Sequence, residues 1–277
     1  MVRVALSVLV AGLALIQVYV YSIQDGMIFF PQPLGDGMRR IVHKARPDAE
    51  EIELKTADGH RLHGWFVRNH DGASLAPALI YFGGNAEEVS GIALQAREFC
   101  GVSLALFNYR GYGRSDGHPS ESALFSDALA IYDLVAARPA VDRKRIVAFG
   151  RSLGSGVATY LASQRPLAAV VLVTPYDSMT AVARAKYPFV LADLLLKHPF
   201  DSISRARSID APLLALIAGA DTIIPPVHAK RLAAAWRGPV TSIVIEGAGH
   251  NDVDSDPRYW SSLRDFLQRN AVRCRPS

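Results

Sequence analysis

The chain has 277 residues, of which half are hydrophobic and 20% are charged, a composition that excludes general disorder and suffices for one domain with a sizeable core. Its net charge of +4 comes from scattered basic residues, which suits a membrane-facing surface better than a nucleic-acid partner. The two cysteines, Cys100 and Cys274, are too few and too far apart for a disulfide scaffold or a zinc site, and the sequence leaves open whether they pair.

The first predicted element is an apolar helix near the N-terminus. Between Val4 and Tyr21 only Ser7 and Gln17 are polar, and no residue is charged. Such a helix spans roughly 27 Å, close to the hydrocarbon thickness of a bilayer. Because Arg3 precedes it, the positive-inside rule predicts a single-pass anchor with the rest of the chain on the non-cytoplasmic side, periplasmic or extracellular. The alternative is a cleaved signal peptide and a secreted protein, although the run is long and no A-x-A site follows it.

The rest of the chain is predicted to be a linker followed by one α/β domain. We expect residues 1–22 to form the anchor, residues 23–49 a surface linker with several Gly and Pro residues, and residues 50–277 the folded domain. A β-hairpin comes first, with strands at Glu51–Lys55 and Arg61–Val67. Apolar runs then predict buried strands that alternate with helices. The strands are Pro77–Phe82, Ser103–Tyr109, Arg145–Phe149, Ala168–Thr174, Pro212–Ile217 and Thr241–Ile245, and the helices are Ala86–Phe99, Ser120–Ala137, Leu153–Ser163 and Pro257–Leu267.

This alternation predicts a mostly parallel sheet with helices on both faces, made mixed by the antiparallel leading hairpin. Ligands of such sheets bind beyond the carboxyl ends of the strands, so residues that directly follow the apolar runs are the candidates for chemistry. Ser152 follows one of these runs and precedes a helix, within Gly150-Arg151-Ser152-Leu153-Gly154. This is the G-x-S-x-G nucleophile elbow, a strained turn that lifts the serine hydroxyl clear of the sheet and needs flanking glycines to avoid Cβ clashes.

A nucleophilic serine needs a base and an acid that orients the base. His250 follows the last predicted strand in a loop of small residues, and its imidazole can take the serine proton and return it. Asp221 follows the strand Pro212–Ile217, and we assign it as the acid. Asp177, after another apolar run, and Asp252, close to His250 in sequence, are the alternative acids.

Two backbone N–H groups are expected to stabilise the oxyanion of the reaction. One belongs to Leu153, the residue after the nucleophile. We assign the other to Asn85, with Gly84 as the alternative, in the loop Gly83-Gly84-Asn85-Ala86 that follows the strand Pro77–Phe82. Two glycines let this backbone turn sharply and approach a substrate, although a glycine turn that only joins strand to helix has the same sequence.

The motifs together resemble those of the α/β-hydrolases. They are Gly83-Gly84-Asn85-Ala86, Asn108-Tyr109-Arg110-Gly111-Tyr112-Gly113-Arg114-Ser115, Gly150-Arg151-Ser152-Leu153-Gly154, Asp221 and Gly249-His250. The resemblance covers nearly the whole chain and points to a subgroup with a small lid and an N-terminal membrane anchor, labelled serine aminopeptidase-like, some of whose eukaryotic relatives are protein depalmitoylases. It implies the α/β-hydrolase fold, the triad order Ser152, Asp221, His250, and a short helical lid at about residues 177–200. Relatives usually carry His where this chain has Gly83.

The resemblance implies a serine hydrolase that cleaves an ester, thioester or amide bond of a small acyl or peptide substrate through a covalent acyl-serine. The alternative is a catalytically retired α/β-hydrolase that acts as a membrane-tethered binding or scaffold protein; such proteins usually lose a triad member, and none is missing here. No cofactor and no metal are expected, because His60 and His63 are three apart on a predicted strand and face opposite sides. We interpret the Asn108–Ser115 segment as a structural turn. In the lid, Tyr187, Pro188, Phe189 and the Leu194–Leu196 run either line an acyl pocket or pack on the core.

Overall fold

The computed structural model describes residues 2–68, 75–99 and 101–270. Cys100 and Cys274 both lie outside these residues. Within the described residues the strands are β1 (Ala49–Lys55), β2 (Arg61–Val67), β3 (Ala76–Phe82), β4 (Ser103–Phe107), β5 (Val141–Arg151), β6 (Ala169–Val173), β7 (Leu213–Ala218) and β8 (Val240–Ile245). The helices are α1 (Val2–Ile28), α2 (Asp36–Ala45), α3 (Ser90–Leu94), α4 (Glu121–Ala136), α5 (Leu153–Gln164), α6 (Met179–Lys186), α7 (Ala192–Leu195), α8 (Ser202–Ala206), α9 (Pro226–Ala235) and α10 (Pro257–Asn270).

The eight strands of the described residues form one sheet in the order β1-β2-β4-β3-β5-β6-β7-β8. The pairs β1–β2 and β2–β4 are antiparallel and the others are parallel, which confirms the predicted mixed sheet. From β3 the chain moves first to one side, to β4, and then to the other side, to β5. Ligands of such sheets bind at this switch point, which here lies between the carboxyl ends of β3 and β5.

Both faces of the sheet are covered by helices, because the parallel strands are apolar on both sides. The end of α1, together with α4, α5, α8 and α9, packs on one face around core residues such as Ile80 and Leu172. Helices α2, α3 and α10 cover the other face around residues such as Leu79 and Val171. Because helices pack on both faces, the strands are fixed, and so are the starting points of the loops at their carboxyl ends.

Helix α1 is longer than the predicted anchor. Its segment Val4–Ile28 is long and apolar enough to cross a membrane, and none of its most apolar stretch is buried in the fold. At 1.5 Å per residue, the 27 residues of α1 extend roughly 40 Å. The last turns of the helix contact the folded domain.

The segment predicted as a surface linker is folded against the domain. It contains the end of α1 and the whole of α2, and it buries Ile28, Phe29, Leu34 and Val42. A bridge between Pro33 and Gly113 holds its Pro-containing part against the loop that follows β4. The Gly and Pro residues indicate a linker, but the apolar side chains between them add two elements to the core, and tertiary packing overrides the local signal.

The helix after β3 also differs from the prediction, whereas the lid agrees with it. The helix predicted at Ala86–Phe99 is limited to α3 and a 3₁₀ turn at Ala96–Glu98, because the preceding residues form a loop in which Glu88 accepts the backbone N–H of Ser90. The lid region consists of α6 and α7 and leads into α8. Ser178 caps α6 by accepting the N–H of Ala181, which fixes where the lid starts.

Candidate active site

Ser152 lies at a sharp turn between β5 and α5. Its backbone has φ 50° and ψ −116°, a conformation that a non-glycine residue adopts only under strain, and its N–H donates to the carbonyl oxygen of Val173 over 2.9 Å. This bond to the end of the neighbouring strand holds the strained turn in place. The serine side chain is thereby presented above the carboxyl edge of the sheet.

The glycines on either side of Ser152 are required by space. A Cβ atom on Gly150 would lie 2.3 Å from the carbonyl oxygen of Gly154. A Cβ atom on Gly154 would lie 2.1 Å from the carbonyl oxygen of Phe82, at the end of β3. Real Cβ atoms do not approach backbone so closely, so the G-x-S-x-G pattern permits both the turn itself and the close approach of α5 to β3.

His250 and Asp221 meet Ser152 at this edge. The Nε2 atom of His250 lies 2.8 Å from Ser152 Oγ, and its Nδ1 atom lies 2.6 Å from Asp221 Oδ2. The other carboxylate oxygen of Asp221 accepts hydrogen bonds from the N–H groups of Ile223 and Ile224, each at a distance of 2.8 Å. Both oxygens of the carboxylate are therefore held. An acceptor at Nδ1 keeps the proton on that nitrogen and leaves Nε2 free to accept the serine hydroxyl hydrogen.

The two alternative acids have other partners. Asp177 is paired with His228 on α9 rather than with His250. Asp252 accepts the backbone N–H of Gly249 over 2.6 Å and so shapes the loop that carries His250. Of the three aspartates considered, the structure brings only Asp221 to the imidazole.

The loop after β3 is held by hydrogen bonds at the consecutive residues Gly84 and Asn85. Gly84 donates its N–H to Glu87 Oε2 over 2.8 Å. Asn85 accepts two hydrogen bonds at its carbonyl, from the Tyr112 hydroxyl at 2.6 Å and the Phe30 N–H at 2.9 Å. Because the N–H of Gly84 is committed to Glu87, the geometry favours Asn85 over Gly84 as the donor for an oxyanion.

Two tyrosines of the segment Asn108–Ser115 reach this loop, a role that the interpretation of the segment as a structural turn missed. Tyr109 donates its hydroxyl hydrogen to the carbonyl of Gly83 over 2.8 Å, beside the bond from Tyr112. Burial raises the pKa of Tyr109 well above its usual value and that of Tyr112 to about 12. Both hydroxyls therefore remain donors at neutral pH. The signal available in the sequence was a pair of tyrosines three residues apart after a buried strand.

An apolar cavity of about 180 Å³ adjoins Ser152. Its walls come from the loop after β3, the start of α5, the lid, the loop after β7 and the last turns of α1. The residues that α1 contributes are Val20, Tyr21, Gln24, Met27 and Ile28. Tyr187, Leu195 and Leu196 of the lid also line it, whereas Phe189 and Leu194 are exposed. Some apolar residues of the lid thus line the cavity, and others lie on the surface.

The same edge of the sheet carries no metal cluster in the part of the chain that the structure describes, since no group of three His, Cys, Asp or Glu side chains converges there. His63 is buried and pairs with Glu51 through Nε2 over 2.8 Å. The groups gathered near Ser152 are the His250 imidazole, the Asp221 carboxylate behind it, and the backbone of Asn85 and Leu153, which line the same cavity. Such a set supports proton transfer and stabilisation of a developing negative charge.

Comparisons with known proteins agree with this architecture. A sequence model of the family described as the alpha/beta hydrolase fold matches residues 77–197. An uncharacterized protein of Mycobacterium tuberculosis is 38% identical, covering 92% of this chain and 90% of the relative. An uncharacterized membrane protein of Saccharomyces cerevisiae is 31% identical, covering 81% and 83%. A Pyrococcus furiosus esterase of known structure shares the fold, with a TM-score of 0.68 at 20% identity over 88% of this chain and 98% of that one.

Proposed function

Because the chain belongs to the α/β-hydrolase family, we propose that it is a serine hydrolase in which Ser152 is the nucleophile, His250 the general base and Asp221 the acid that orients the imidazole. One observation carries the proposal: an unbroken hydrogen-bonded chain runs from Asp221 through His250 to Ser152 at the wall of an apolar cavity. The strained backbone at Ser152 costs roughly 1–3 kcal/mol. A protein that had lost its catalytic activity would gain nothing from this strain or from the complete set of three hydrogen-bonded side chains.

In the proposed mechanism, Ser152 Oγ attacks the carbonyl carbon of the substrate while His250 Nε2 takes the hydroxyl proton. The carbonyl oxygen becomes an oxyanion, which accepts hydrogen bonds from the N–H groups of Asn85 and Leu153. The C–O, C–S or C–N bond to the leaving group then breaks, and His250 returns the proton to that group. Water, deprotonated by His250, attacks the acyl-serine carbonyl, and collapse of the second intermediate releases the acid and restores Ser152.

The cavity supports an apolar acyl group as the part of the substrate that Ser152 retains. Its lining is mostly aliphatic and aromatic, with Met179, Val182 and Leu196 from the lid side. The Pyrococcus relative is an esterase by name, which agrees with an ester substrate. We therefore propose an acyl ester or thioester as the first substrate class to test, with acyl amides as the comparison.

We also propose that α1 is a retained single-pass anchor and that the catalytic domain lies on the non-cytoplasmic side. The yeast relative is a membrane protein by name, and Val4–Ile28 is sufficiently apolar to span a bilayer. Cleavage near residue 22, as a signal peptide would require, would separate Val20 and Tyr21 from the cavity they line. The shared wall therefore favours the anchor over the cleaved signal.

Labelling with a fluorophosphonate probe tests the catalytic assignment. Wild-type protein should be labelled, whereas Ser152→Ala should lose labelling and at least roughly a thousandfold in ester turnover while staying folded. Ser163→Ala, at the far end of α5, is the matched control and should be labelled like the wild type. Wild-type turnover by Ser152→Ala would refute the assignment, and an unlabelled, folded wild type would favour the retired scaffold.

A further inference from the structure

Gln17 is a polar residue within the apolar part of α1, and its side chain is bound to the lid. Its Nε2 donates to the carbonyl of Phe189 over 3.0 Å, and its Oε1 accepts the N–H of Leu191 over 2.9 Å. An amide without partners costs several kcal/mol in hydrocarbon, and so does an unpaired backbone group. The paired bonds let both the glutamine and this stretch of lid backbone lie in an apolar medium.

A second set of contacts joins α1 to the lid two helical turns further on. Gln24 donates to the carbonyl of Leu195 and accepts the N–H of Lys197. Asp25 pairs with the Lys197 ammonium and with His198 Nε2. Residues 17 and 24 are seven apart, so they share one face of the helix and differ in height by about 10 Å. The charged contacts around Asp25 suit the headgroup level, which puts the Gln17 contacts about 10 Å closer to the bilayer centre.

The lid side chains next to the Gln17 contacts are apolar and exposed. Phe189, Leu191 and Leu194, here called the lid tip, are exposed by 56%, 55% and 80%. They do not belong to the cavity lining, so their exposure is not explained by substrate contact. The acidic residue between them, Asp193, is paired with Arg184. An apolar tip attached to the side of a membrane-spanning helix meets lipid rather than water.

We infer that the lid tip inserts into the bilayer beside α1, so that the cavity at Ser152 is loaded from the bilayer and not from water. This rests on the proposed anchoring of α1. The cavity wall is shared between α1, through Val20 and Met27, and the lid, through Val190 and Leu195, so two of the elements that line it are in contact with the membrane in this arrangement. A substrate whose acyl chain already lies in the bilayer reaches Ser152 along these walls without exposing the chain to water.

Depth-dependent fluorescence quenching tests the insertion directly. The full chain is reconstituted in phosphatidylcholine vesicles with or without bromine on the acyl chains, and a tryptophan is added by Phe189→Trp. The matched control is Val240→Trp, at the start of β8, where the native side chain is also exposed, by 39%. An inserted surface reaches roughly 5–10 Å into the headgroup–acyl boundary, so bromine should quench the emission gained through Phe189→Trp about twofold and leave the emission gained through Val240→Trp unchanged. If the emission gained through Phe189→Trp were the same in brominated and unbrominated vesicles, as for Val240→Trp, the inference would be overturned.

Loading from the bilayer is tested by a ratio of rates. Replacing the lid tip by Phe189→Ser/Leu191→Ser/Leu194→Ser should lower hydrolysis of a long-chain p-nitrophenyl ester in vesicles about tenfold relative to hydrolysis of water-soluble p-nitrophenyl acetate. The control Leu75→Ser/Val240→Ser, which changes two other exposed apolar residues, should keep the wild-type ratio. An unchanged ratio in the lid-tip variant would overturn bilayer loading. If the wild type hydrolyses neither ester, the proposed function fails, whereas the quenching result still decides the insertion.

Discussion

Asp177 and His228 form a buried pair, with Oδ1 of the aspartate 2.7 Å from Nδ1 of the histidine. The same oxygen accepts the N–H of Ser178, the residue that caps the first lid helix. Arg231 approaches the other carboxylate oxygen. Asp177 therefore ties the root of the lid to α9, a structural role, whereas Asp221 is the one of these two aspartates that contacts His250.

This division of roles predicts opposite effects of two amide substitutions. Asp221→Asn should lower kcat at least about a hundredfold with little change in Tm, because an amide favours the wrong imidazole tautomer. Asp177→Asn should lower kcat less than tenfold but reduce stability by about 1–3 kcal/mol, because it weakens a buried, hydrogen-bonded pair. Ester kinetics and thermal unfolding of both variants measure the difference. The reverse ranking of the two kcat values at equal stability would move the acid to Asp177.

A second prediction concerns Glu87, which accepts the Gly84 N–H and, through its other oxygen, the Tyr81 hydroxyl hydrogen at 2.7 Å. It positions the loop that carries Asn85. Glu87→Ala should lower kcat at least about tenfold with KM nearly unchanged. A misplaced oxyanion donor stabilises the transition state less but leaves substrate binding unaffected.

Glu87→Gln should recover most of that loss, because an amide oxygen still accepts the Gly84 N–H and the amide NH₂ can face the tyrosine oxygen. The exposed Glu98→Ala serves as a control for loss of a surface charge. A loss that appears in KM, or that glutamine does not repair, would show that Glu87 acts on substrate binding or through its charge.

A third prediction follows from the contact between α5 and β3. Gly154→Ala places a Cβ atom 2.1 Å from the Phe82 carbonyl and 2.7 Å from that of Gly83. Neither backbone atom can swing away, so α5 must shift, at a cost of at least about 1–3 kcal/mol. The shift also moves Ser152 relative to the loop after β3, which carries the proposed oxyanion donor Asn85, and ester turnover should fall more than the loss of stability alone explains.

The matched substitution is Gly37→Ala, on α2, where a Cβ atom meets nothing within 4 Å. It should leave turnover unchanged and raise stability by about 0.5–1 kcal/mol, the usual gain for alanine over glycine in a helix. Denaturant unfolding of both variants measures the contrast. Wild-type stability and turnover in Gly154→Ala would mean that the helix and strand are less closely packed than described.

A fourth prediction concerns the membrane. Alkaline carbonate should leave the full-length chain in the membrane fraction, because Val4–Ile28 is long and apolar enough to cross a bilayer. In sealed right-side-out vesicles, external protease should digest the catalytic domain if it lies on the non-cytoplasmic side. Release by carbonate would contradict the anchor, and protection of the domain in such vesicles would contradict the orientation.

Much of the fold was predictable from the sequence, because the strands in the middle of the sheet are nearly continuous apolar runs. The positions of Ser152, Asp221 and His250 after such runs also predicted that they would share one edge of the sheet. That inference needs only the parallel direction of the strands. The helix after β3 and the linker were less predictable, because side-chain bonds of Glu88 and burial of Phe29 outweigh local propensity there.

The sequence by itself determined the class of the sheet, the strained turn at Ser152 and the apolar N-terminal helix, since each follows from a local pattern of residue types. Only the tertiary structure decided which aspartate meets His250, that the N–H of Gly84 is committed to Glu87, and that Tyr109 and Tyr112 hold the loop after β3. It also made α1 part of the cavity wall. Apart from the bond between Gly84 and Glu87, these relationships join residues distant in sequence. Hydrogen-bond geometry and close packing select among candidates that local patterns leave equal.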